Sequence, residues 1–229
     1  MMLHFDVLTL FPEIFSSFLE ESLINKGIER KQLKIELINF RKHGVGKHLI
    51  VDDAPYAGGP GMLLRVEPIA FSIEEQKKTN LAAGHKTHTI LLTPQGKPFG
   101  QEKAKELSLK EEVLTLVCGR YEGFDERIRG LVDEEISGGN FICLGGEVIA
   151  MTIIEAVSRL IPNFLGNCNS AKNESFTESL LEFPQYTRPE IFEGMPVPKE
   201  LLSGNHARIS EWRKEKAYIK TKKQRPDLL

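Results

Sequence analysis

Short apolar runs alternate with helix-like segments through the first 160 residues, and this alternation limits the fold more than any other feature of the chain. A strand followed by a helix, repeated several times, favours a mostly parallel sheet covered by helices, the α/β class. The apolar runs predict strands over His4–Leu10, Lys34–Phe40, His88–Thr93, Val113–Cys118 and Phe141–Leu144. The intervening segments predict helices over Pro12–Lys26, Glu67–Lys78, Gln101–Leu109, Phe124–Val132 and Glu147–Leu160.

Glycine and proline mark the boundaries of several elements. Pro12 suits the first turn of a helix, and Gly27 is expected to cap the end of that helix. The helix that begins at Glu147 is apolar on every face, which predicts burial in the core or in a subunit interface. Arg159 stands near the end of this helix, where an arginine needs a salt-bridge partner or a ligand.

A long glycine-rich loop is predicted from Arg41 to Arg65, because this segment has no periodicity. Long loops inside compact domains are usually functional or disordered. This loop combines Asp52, Asp53 and Tyr56 with glycines and prolines. The composition fits a mobile lid over a site, and it equally fits a solvated acidic turn.

The strand–helix pattern stops at Pro162, which indicates a domain boundary. Residues 162–176 are polar and aperiodic, so the sequence predicts a first domain over 1–161, a linker over 162–176 and a small helical domain over 177–229. From His206 onward the chain carries eight Lys or Arg and three acidic residues, a net charge of +5, whereas the remainder carries −7. A basic end on an acidic body indicates a phosphate-binding surface, with a solvated helix face as the alternative.

The composition argues against several classes of protein. No apolar run approaches the ~20 residues of a membrane span, and the first residues lack the basic start of a secretory signal. We therefore expect a cytoplasmic protein that does not contact a membrane. Cys118, Cys143 and Cys168 are widely spaced and form no CxxC pair, so we expect neither a disulfide framework nor a metal site.

Glycine-rich or proline-containing turns follow three of the apolar runs. In open α/β sheets, ligands bind outside the carboxyl ends of the strands, where glycine lets the backbone approach a ligand closely. The chain has no GxGxxG after its first strand and no GxxxxGK[ST], which disfavours the common dinucleotide and P-loop sites. The turns indicate a ligand held by backbone groups, and tight turns without a ligand are the alternative. They are Thr93–Gly96, Cys118–Gly123, and the pair Ser137–Asn140 and Leu144–Glu147.

Several of these segments, taken in order, resemble the bacterial tRNA (guanine-N1)-methyltransferases, the TrmD family of the SPOUT superfamily. The resemblance covers nearly the whole chain, and the ordered set is highly specific although each element alone is weak. Its segments are Thr9–Glu13, Asp52–Met62, Leu92–Gly96, Cys118–Arg127, Leu144–Glu147, Ala150–Thr152 and Tyr186–Pro189.

The resemblance implies an α/β domain with a deep C-terminal trefoil knot, followed by a small α-helical domain. It implies S-adenosylmethionine as the methyl donor, a requirement for Mg²⁺, and a homodimer with active sites at its interface. The partner would be tRNA, gripped at the anticodon stem-loop, and the substrate would be guanosine-37, the nucleotide 3′ of the anticodon.

The resemblance also assigns roles to individual residues. The expected S-adenosylmethionine site consists of Pro94, Gly119, Tyr121, Glu122, Gly123, Gly138, Gly139, Phe141, Cys143, Gly145 and Gly146. The expected tRNA contacts are Asp52, Tyr56, Arg188, Arg208, Arg213 and Lys214, with Lys216 and Lys220 as further candidates for phosphate. The chain departs from the family pattern at Ala57, Asn140 and Phe141, where the family usually has Gly, Asp and Tyr.

The two expected catalytic residues follow from the chemistry of guanine N1. This nitrogen carries a proton, so methyl transfer needs a general base, and negative charge builds on O6 as the proton leaves. Arg159 matches the family arginine proposed for O6, and Glu174 stands before Ser175 where the family has an aspartate base. Glutamate has a similar intrinsic pKa on a longer side chain. The alternatives are a knotted enzyme that methylates ribose 2′-O and an RNA-binding module without catalysis.

Overall fold

A computed structural model describes residues 2–165, 174–176 and 179–229 of the chain. The chain divides into two compact units, Met1–Leu165 and Gly166–Leu229. The predicted linker, 162–176, lies partly outside the described residues, and its role as a linker stays a prediction.

The first unit is built on one parallel sheet, which confirms the α/β class. Its five strands lie in the order β2-β1-β6-β5-β7, and every neighbouring pair is parallel. The carboxyl ends of all five strands therefore meet at one edge of the sheet. The strands are β1 Leu3–Thr9, β2 Leu33–Asn39, β5 Thr87–Pro98, β6 Val113–Cys118 and β7 Glu134–Ser137.

Helices cover both faces of this sheet. One apolar cluster joins Phe5, Leu116 and Ile153 with neighbouring side chains, and a second joins Leu8, Val117 and Ile69 on the opposite face. All six residues of β6 are buried, as expected for a central parallel strand covered on both sides. The helices are α1 Ser16–Glu20, α2 Ser22–Glu29, α3 Val66–Ala82, α4 Gln101–Ser108 and α5 Glu147–Ser158. A 3-10 helix over Glu126–Leu131 replaces the helix predicted over Phe124–Val132.

The prediction of a strand over Phe141–Leu144 was wrong. These side chains are more than half exposed at Phe141, Ile142 and Leu144, and the segment forms no strand. The fifth strand is instead β7, which begins with two glutamates that disguise it in the sequence. His88 and Lys103 pair with Glu134, so its charge is tolerated at the edge of the sheet.

The prediction that Gly27 caps the first helix was also wrong. The segment splits into a 3-10 helix over Pro12–Phe15, then α1, then α2, with Ser22 at a positive φ of 59° where the two α-helices meet. Gly27 lies inside α2 and is buried. A Cβ at this position would lie 2.4 Å from Cε2 of Phe164, so the glycine permits close packing of that ring.

The glycine-rich segment between Arg41 and Arg65 is not entirely loop. A short antiparallel pair forms within it, β3 Asp52–Asp53 with β4 Leu63–Leu64. The turn predicted at Thr93–Gly96 lies within β5, where the pairing with β7 shifts register between Leu92 and Lys97. Residues 93–96 therefore bulge out of the ladder at the carboxyl edge of the sheet.

The described residues of the second unit form the α-helices α6 Lys199–Leu202 and α7 His206–Gln224, a 3-10 helix over Pro226–Leu228, and a hairpin of β8 Ile191–Phe192 with β9 Met195–Pro196. Trp212 and Ala217 of α7 are buried. The backbone N–H of Leu181 donates to Oγ1 of Thr221 over 2.8 Å, which fixes the chain entering the unit against this helix. Among the described helices, none is long and apolar enough to cross a membrane.

Substituting Gly27 tests the packing of the first helical segment. Gly27→Ala places a methyl group against the buried Phe164 ring, so we expect the free energy of unfolding to fall by about 2 kcal/mol. Thermal melting or urea titration measures the loss. Gly130→Ala is the matched control, because a Cβ there meets nothing within 4 Å. Equal stability of the two variants would contradict the packing argument.

Candidate functional site

A cavity of about 660 Å³ opens where the carboxyl ends of β5, β6 and β7 meet. It is bordered by the bulge of β5, the turn after β6 and the segment that joins β7 to α5. Of the eleven residues expected to form a cofactor site, ten line this cavity: Pro94, Gly119, Tyr121, Glu122, Gly123, Gly138, Phe141, Cys143, Gly145 and Gly146. Gly139 is the exception, although its carbonyl accepts hydrogen bonds from Ser137 and Phe141 on the same wall.

The turn after β6 lies directly against the start of α5. The backbone N–H of Gly146 donates to the carbonyl of Gly119 over 3.0 Å. A Cβ on Gly146 would lie 2.9 Å from the Cα of Cys118, so only glycine lets these two segments approach this closely. The glycines at this edge therefore bring the two walls of the cavity together.

A buried ion pair joins the same two segments. Glu147, the first residue of α5, is 1% exposed, and its Oε1 accepts hydrogen bonds from Oγ1 of Thr9 at 2.8 Å and Nε of Arg120 at 3.1 Å. Nη2 of Arg120 lies 3.0 Å from Oε2, and the guanidinium lies 4.5 Å from the centre of the Phe11 ring. The helix N-terminus also favours a negative charge here. The pair thus connects the ends of β1 and β6 to α5.

Two cysteines lie near the cavity in very different environments. Burial, together with the charge of Glu147, raises the pKa of the Cys118 thiol well above its usual value. Cys118 therefore stays protonated and is a poor nucleophile at neutral pH. Cys143 is exposed and lines the cavity. Cys168 lies outside the described residues.

Several polar residues of the cavity wall were missed by the sequence reasoning. Arg129 lines the cavity and donates to the side chains of Gln95 and Glu135, which joins the bulge of β5 to β7. Glu126 also lines the cavity and pairs with Arg129 at 2.8 Å. No spacing rule connects these residues, since Gln95 and Arg129 are 34 positions apart.

The short pair β3–β4 is attached to the rim of the cavity. The N–H of Glu122 donates to the carbonyl of Met62, and the N–H of Leu64 donates to the carbonyl of Gly123. Asp52 lies on β3 and Tyr56 is almost fully exposed in the connecting loop. Neither Asp52 nor Tyr56 lines the cavity, so their expected contact with tRNA is not decided by this geometry.

The two expected catalytic residues belong to different units. Arg159 follows the last turn of α5 in the first unit, and its N–H donates to the carbonyl of Glu155. Glu174 lies in the second unit, one residue before Ser175, whose Oγ accepts a hydrogen bond from the N–H of Glu182. Their catalytic roles remain predictions.

The four basic residues expected to contact tRNA all lie in the second unit. Arg208 lies 3.8 Å from Glu200, and Lys214 is exposed on α7. Arg188 and Arg213 line a separate cavity within this unit. Of the further candidates, Lys216 lies 3.6 Å from Glu215, and Lys220 donates to the carbonyl of Glu182. Lys220 is therefore already engaged within the unit.

The structure also brings together a His–Asp–Glu group that the sequence reasoning missed. Nε2 of His4 lies 3.1 Å from Oδ1 of Asp6 and 3.1 Å from Oε2 of Glu36. Their ligand atoms all lie within 4.8 Å of one another, and Nζ of Lys34 lies 3.0 Å from Glu36. His4 stands near the amino end of β1, whereas Thr9 at the carboxyl end contacts Glu147. The group therefore lies at the far end of β1 from the cavity wall.

Comparison with known proteins gives consistent matches over nearly the whole chain. A family model described as tRNA (Guanine-1)-methyltransferase TrmD matches residues 3–229. Three similar proteins are each named tRNA (guanine-N(1)-)-methyltransferase. The protein of Syntrophotalea carbinolica is 51% identical over 98% of this chain and 89% of its own length. The protein of Geobacter sulfurreducens is 51% identical over 98% of this chain and 90% of its own length. The protein of Staphylococcus haemolyticus is 48% identical over 98% of this chain and 89% of its own length.

Removing Arg120 tests the ion pair that joins the cavity walls. Arg120→Ala leaves the Glu147 carboxylate buried without its cation, so we expect the free energy of unfolding to fall by about 3 kcal/mol. Adding Glu147→Gln should recover part of this loss, because a neutral amide costs less to bury. Denaturant titration measures both effects.

Arg127→Ala is the control for this prediction. Arg127 also pairs with a carboxylate at 2.7 Å, that of Asp125, but its side chain is 70% exposed. Exposed pairs contribute little, so this variant should lose less than about 1 kcal/mol. If Arg120→Ala proved no more harmful than Arg127→Ala, the ion pair would not have the structural role assigned to it.

Proposed function

Since the chain belongs to the tRNA (guanine-1)-methyltransferase TrmD family, we propose that its cavity binds S-adenosylmethionine and that its target is N1 of guanosine-37 in tRNA. Membership of the family makes the protein a tRNA (guanine-N1)-methyltransferase. The observation that carries the finer proposal is the cavity at the carboxyl ends of β5, β6 and β7, around which ten of the eleven expected residues lie.

The lining of this cavity fits S-adenosylmethionine in size and chemistry. Its volume of about 660 Å³ lies within the range of small-molecule sites. Glycines at 119, 123 and 138 lie in the lining and place no side chain between the backbone and a ligand. Backbone groups suit the edge of adenine and the ribose hydroxyls. Glu122 lies in the same lining and would complement a cationic cofactor, whereas Glu126 is paired with Arg129.

The path of the chain supports a trefoil knot in the first unit. After β7, at one edge of the sheet, the chain returns so that Glu147 contacts Thr9 at the end of β1 and Arg120 after β6. The segments 118–123 and 138–146 thus lie against each other, as two loops of a knot would. We propose that these segments form the knot and that it shapes the cofactor site.

The proposed chemistry needs one proton acceptor and one donor from the protein. S-adenosylmethionine supplies a methyl group that its sulfonium makes electrophilic. We assign the removal of the guanine N1 proton to Glu174 and the stabilisation of charge on O6 to Arg159. Positioning and electrostatics then suffice, and no covalent intermediate with the protein is required. These two assignments rest on the family resemblance.

A homodimer is proposed from the apolar surface beside the cavity. Phe141, Ile142, Leu144 and Val148 are each more than half exposed, and the first three line the cavity. Exposed apolar patches rimmed by polar residues mark protein–protein interfaces among other binding sites. We propose that a second copy of the chain covers this cluster, which places each active site at the interface.

Because its substrate is tRNA, we place the enzyme in the cytoplasm.

The one cluster of candidate metal ligands in the described part of the chain does not suit magnesium. Within the described residues, His4, Asp6 and Glu36 are the only group with three metal-ligand atoms close together. Mg²⁺ prefers oxygen ligands, whereas this group contains an imidazole and lies beside the ammonium of Lys34. The requirement for magnesium that the resemblance implies stays a prediction, and none of the steps assigned above is routed through the ion.

Methyl transfer to defined tRNA transcripts tests the proposed function. Transcripts with guanine at position 37 should accept labelled methyl from S-adenosylmethionine, and digestion should yield 1-methylguanosine. Transcripts with another base at this position should accept none. A label on a ribose, or on a base other than guanosine-37, would contradict the proposal.

The Glu174 assignment is tested by single-turnover kinetics. Glu174→Ala should slow methyl transfer by about 100-fold or more, because general-base catalysis is lost, while the affinity for S-adenosylmethionine stays unchanged. Glu174→Asp restores the family residue and is the control that should retain most of the activity. Near-normal transfer by Glu174→Ala would remove Glu174 from the mechanism.

The proposed contact of helix α7 with tRNA phosphates is tested by the salt dependence of tRNA binding. Replacing Arg208 and Lys214 by Gln should weaken binding and lower the slope of log affinity against log salt, since fewer counterions are released. Lys78→Gln, an exposed lysine on α3, is the control and should leave the slope unchanged. An unchanged slope in the double variant would show that these two cations do not contact phosphate.

A further inference from the structure

The second unit contains a cleft that the proposed methyl transfer does not use. Its volume is about 620 Å³, and all of its lining belongs to this unit. We call it the C-terminal cleft, and we define it by six of its lining residues: Phe183, Tyr186, Arg188, Glu190, Ile209 and Arg213. The lining combines aromatic, aliphatic and charged groups, so the ligand must offer both a flat apolar surface and polar edges.

Part of the lining of the C-terminal cleft is an arginine whose guanidinium lies over an aromatic ring. The guanidinium carbon of Arg213 lies 4.7 Å from the centre of the Phe183 ring, within the range of a cation–π contact. Arg213 is exposed on α7 and lines the cleft, so part of the group stays accessible. A guanidinium plane supported in this way can stack on a nucleobase at little entropic cost.

Tyr186, another residue of the lining, belongs to a packed aromatic pair. The ring of Tyr186 lies 6.4 Å from that of Trp212, with the planes tilted by 56°. Trp212 is buried, whereas Tyr186 is about half exposed and lines the cleft. Ile209 and Val197 add apolar surface. One aromatic ring of the lining therefore packs on a buried tryptophan.

The lining carries a carboxylate and aromatic groups beside its two cations, and this mixture favours a base over a phosphate. Arg188 and Arg213 are cations, but the carboxylate of Glu190 shares the lining. A carboxylate repels phosphate, whereas it accepts hydrogen bonds from the amino and ring N–H groups of nucleobases. The apolar walls also gain nothing from a strongly hydrated phosphate.

We propose that the C-terminal cleft binds one unstacked nucleobase of the tRNA, stacked on the guanidinium of Arg213. This inference rests on the proposed binding of tRNA by the second unit. Single-stranded loops offer such bases, and proteins commonly read them by stacking on aromatic side chains or arginine. The cleft would then give the second unit a contact to a base in addition to its contacts with phosphate.

The first test replaces the planar guanidinium of Arg213 but keeps its positive charge. Arg213→Lys should weaken tRNA binding about tenfold, the loss expected for one stacked base, with an unchanged salt slope. Phe183→Leu removes the support of the guanidinium and should have a similar effect. Arg225→Lys is the matched control, because Arg225 also lies over a phenylalanine, Phe176, but outside the cleft. It should bind tRNA within twofold of the wild type.

The second test locates the base with abasic tRNA transcripts. Removing single bases along the anticodon stem-loop should reveal one position at which wild-type binding falls about tenfold and Arg213→Lys shows no further loss. Thermal melting of each variant, followed by the emission of Trp212, the only tryptophan of the chain, confirms that the second unit is folded.

Two outcomes would overturn the inference. If Arg213→Lys binds like the wild type while Arg213→Gln binds weakly with a lower salt slope, Arg213 contacts phosphate. If no abasic position weakens the wild type, the cleft holds no base. Both results are compatible with normal methylation of guanosine-37 by the wild-type enzyme. Failure of that methylation counts instead against the proposed function.

Discussion

The carboxylate of Glu147 is buried where three segments of the first unit meet, and the arrangement of the cavity depends on how its charge is balanced. Thr9 reaches it from the end of β1, Arg120 reaches it from the turn after β6, and the N-terminus of α5 carries it. A buried charge is stable only with such partners. The pair therefore connects the ends of two strands to α5, and the glycines at 119 and 146 let the backbones close around it.

The sequence predicts the parallel sheet well where burial alone decides the residue types. β6 has the predicted bounds because a strand covered on both faces is almost entirely apolar, here with Thr115 as the one polar residue. β7 is hidden in the sequence because its two glutamates are compensated by other parts of the chain, Glu134 by His88 and Lys103 and Glu135 by Arg129. The apolar run at Phe141–Leu144 is the converse case, since its side chains are exposed beside the cavity and form no strand.

The same distinction applies to the site. Its glycines could be predicted, because turns at strand ends carry a local signal that the family resemblance then connected to one cofactor. The Thr9–Glu147 and Arg120–Glu147 contacts span 138 and 27 positions and have no such signal. The sequence indicates only part of the C-terminal cleft, because it predicts that Arg188 and Arg213 contact tRNA. The position of Arg213 over Phe183 follows from tertiary packing alone. Side-chain contacts across long separations depend on the finished fold.

Hydrogen exchange with and without S-adenosylmethionine tests the central claim, that the segments around the cavity form one cofactor site. The account predicts that the ligand slows exchange in three separate segments, residues 92–96, 118–124 and 136–146, with little change in the remainder of the sheet. Protection confined to other segments, or no protection at a ligand concentration that supports methyl transfer, would contradict it.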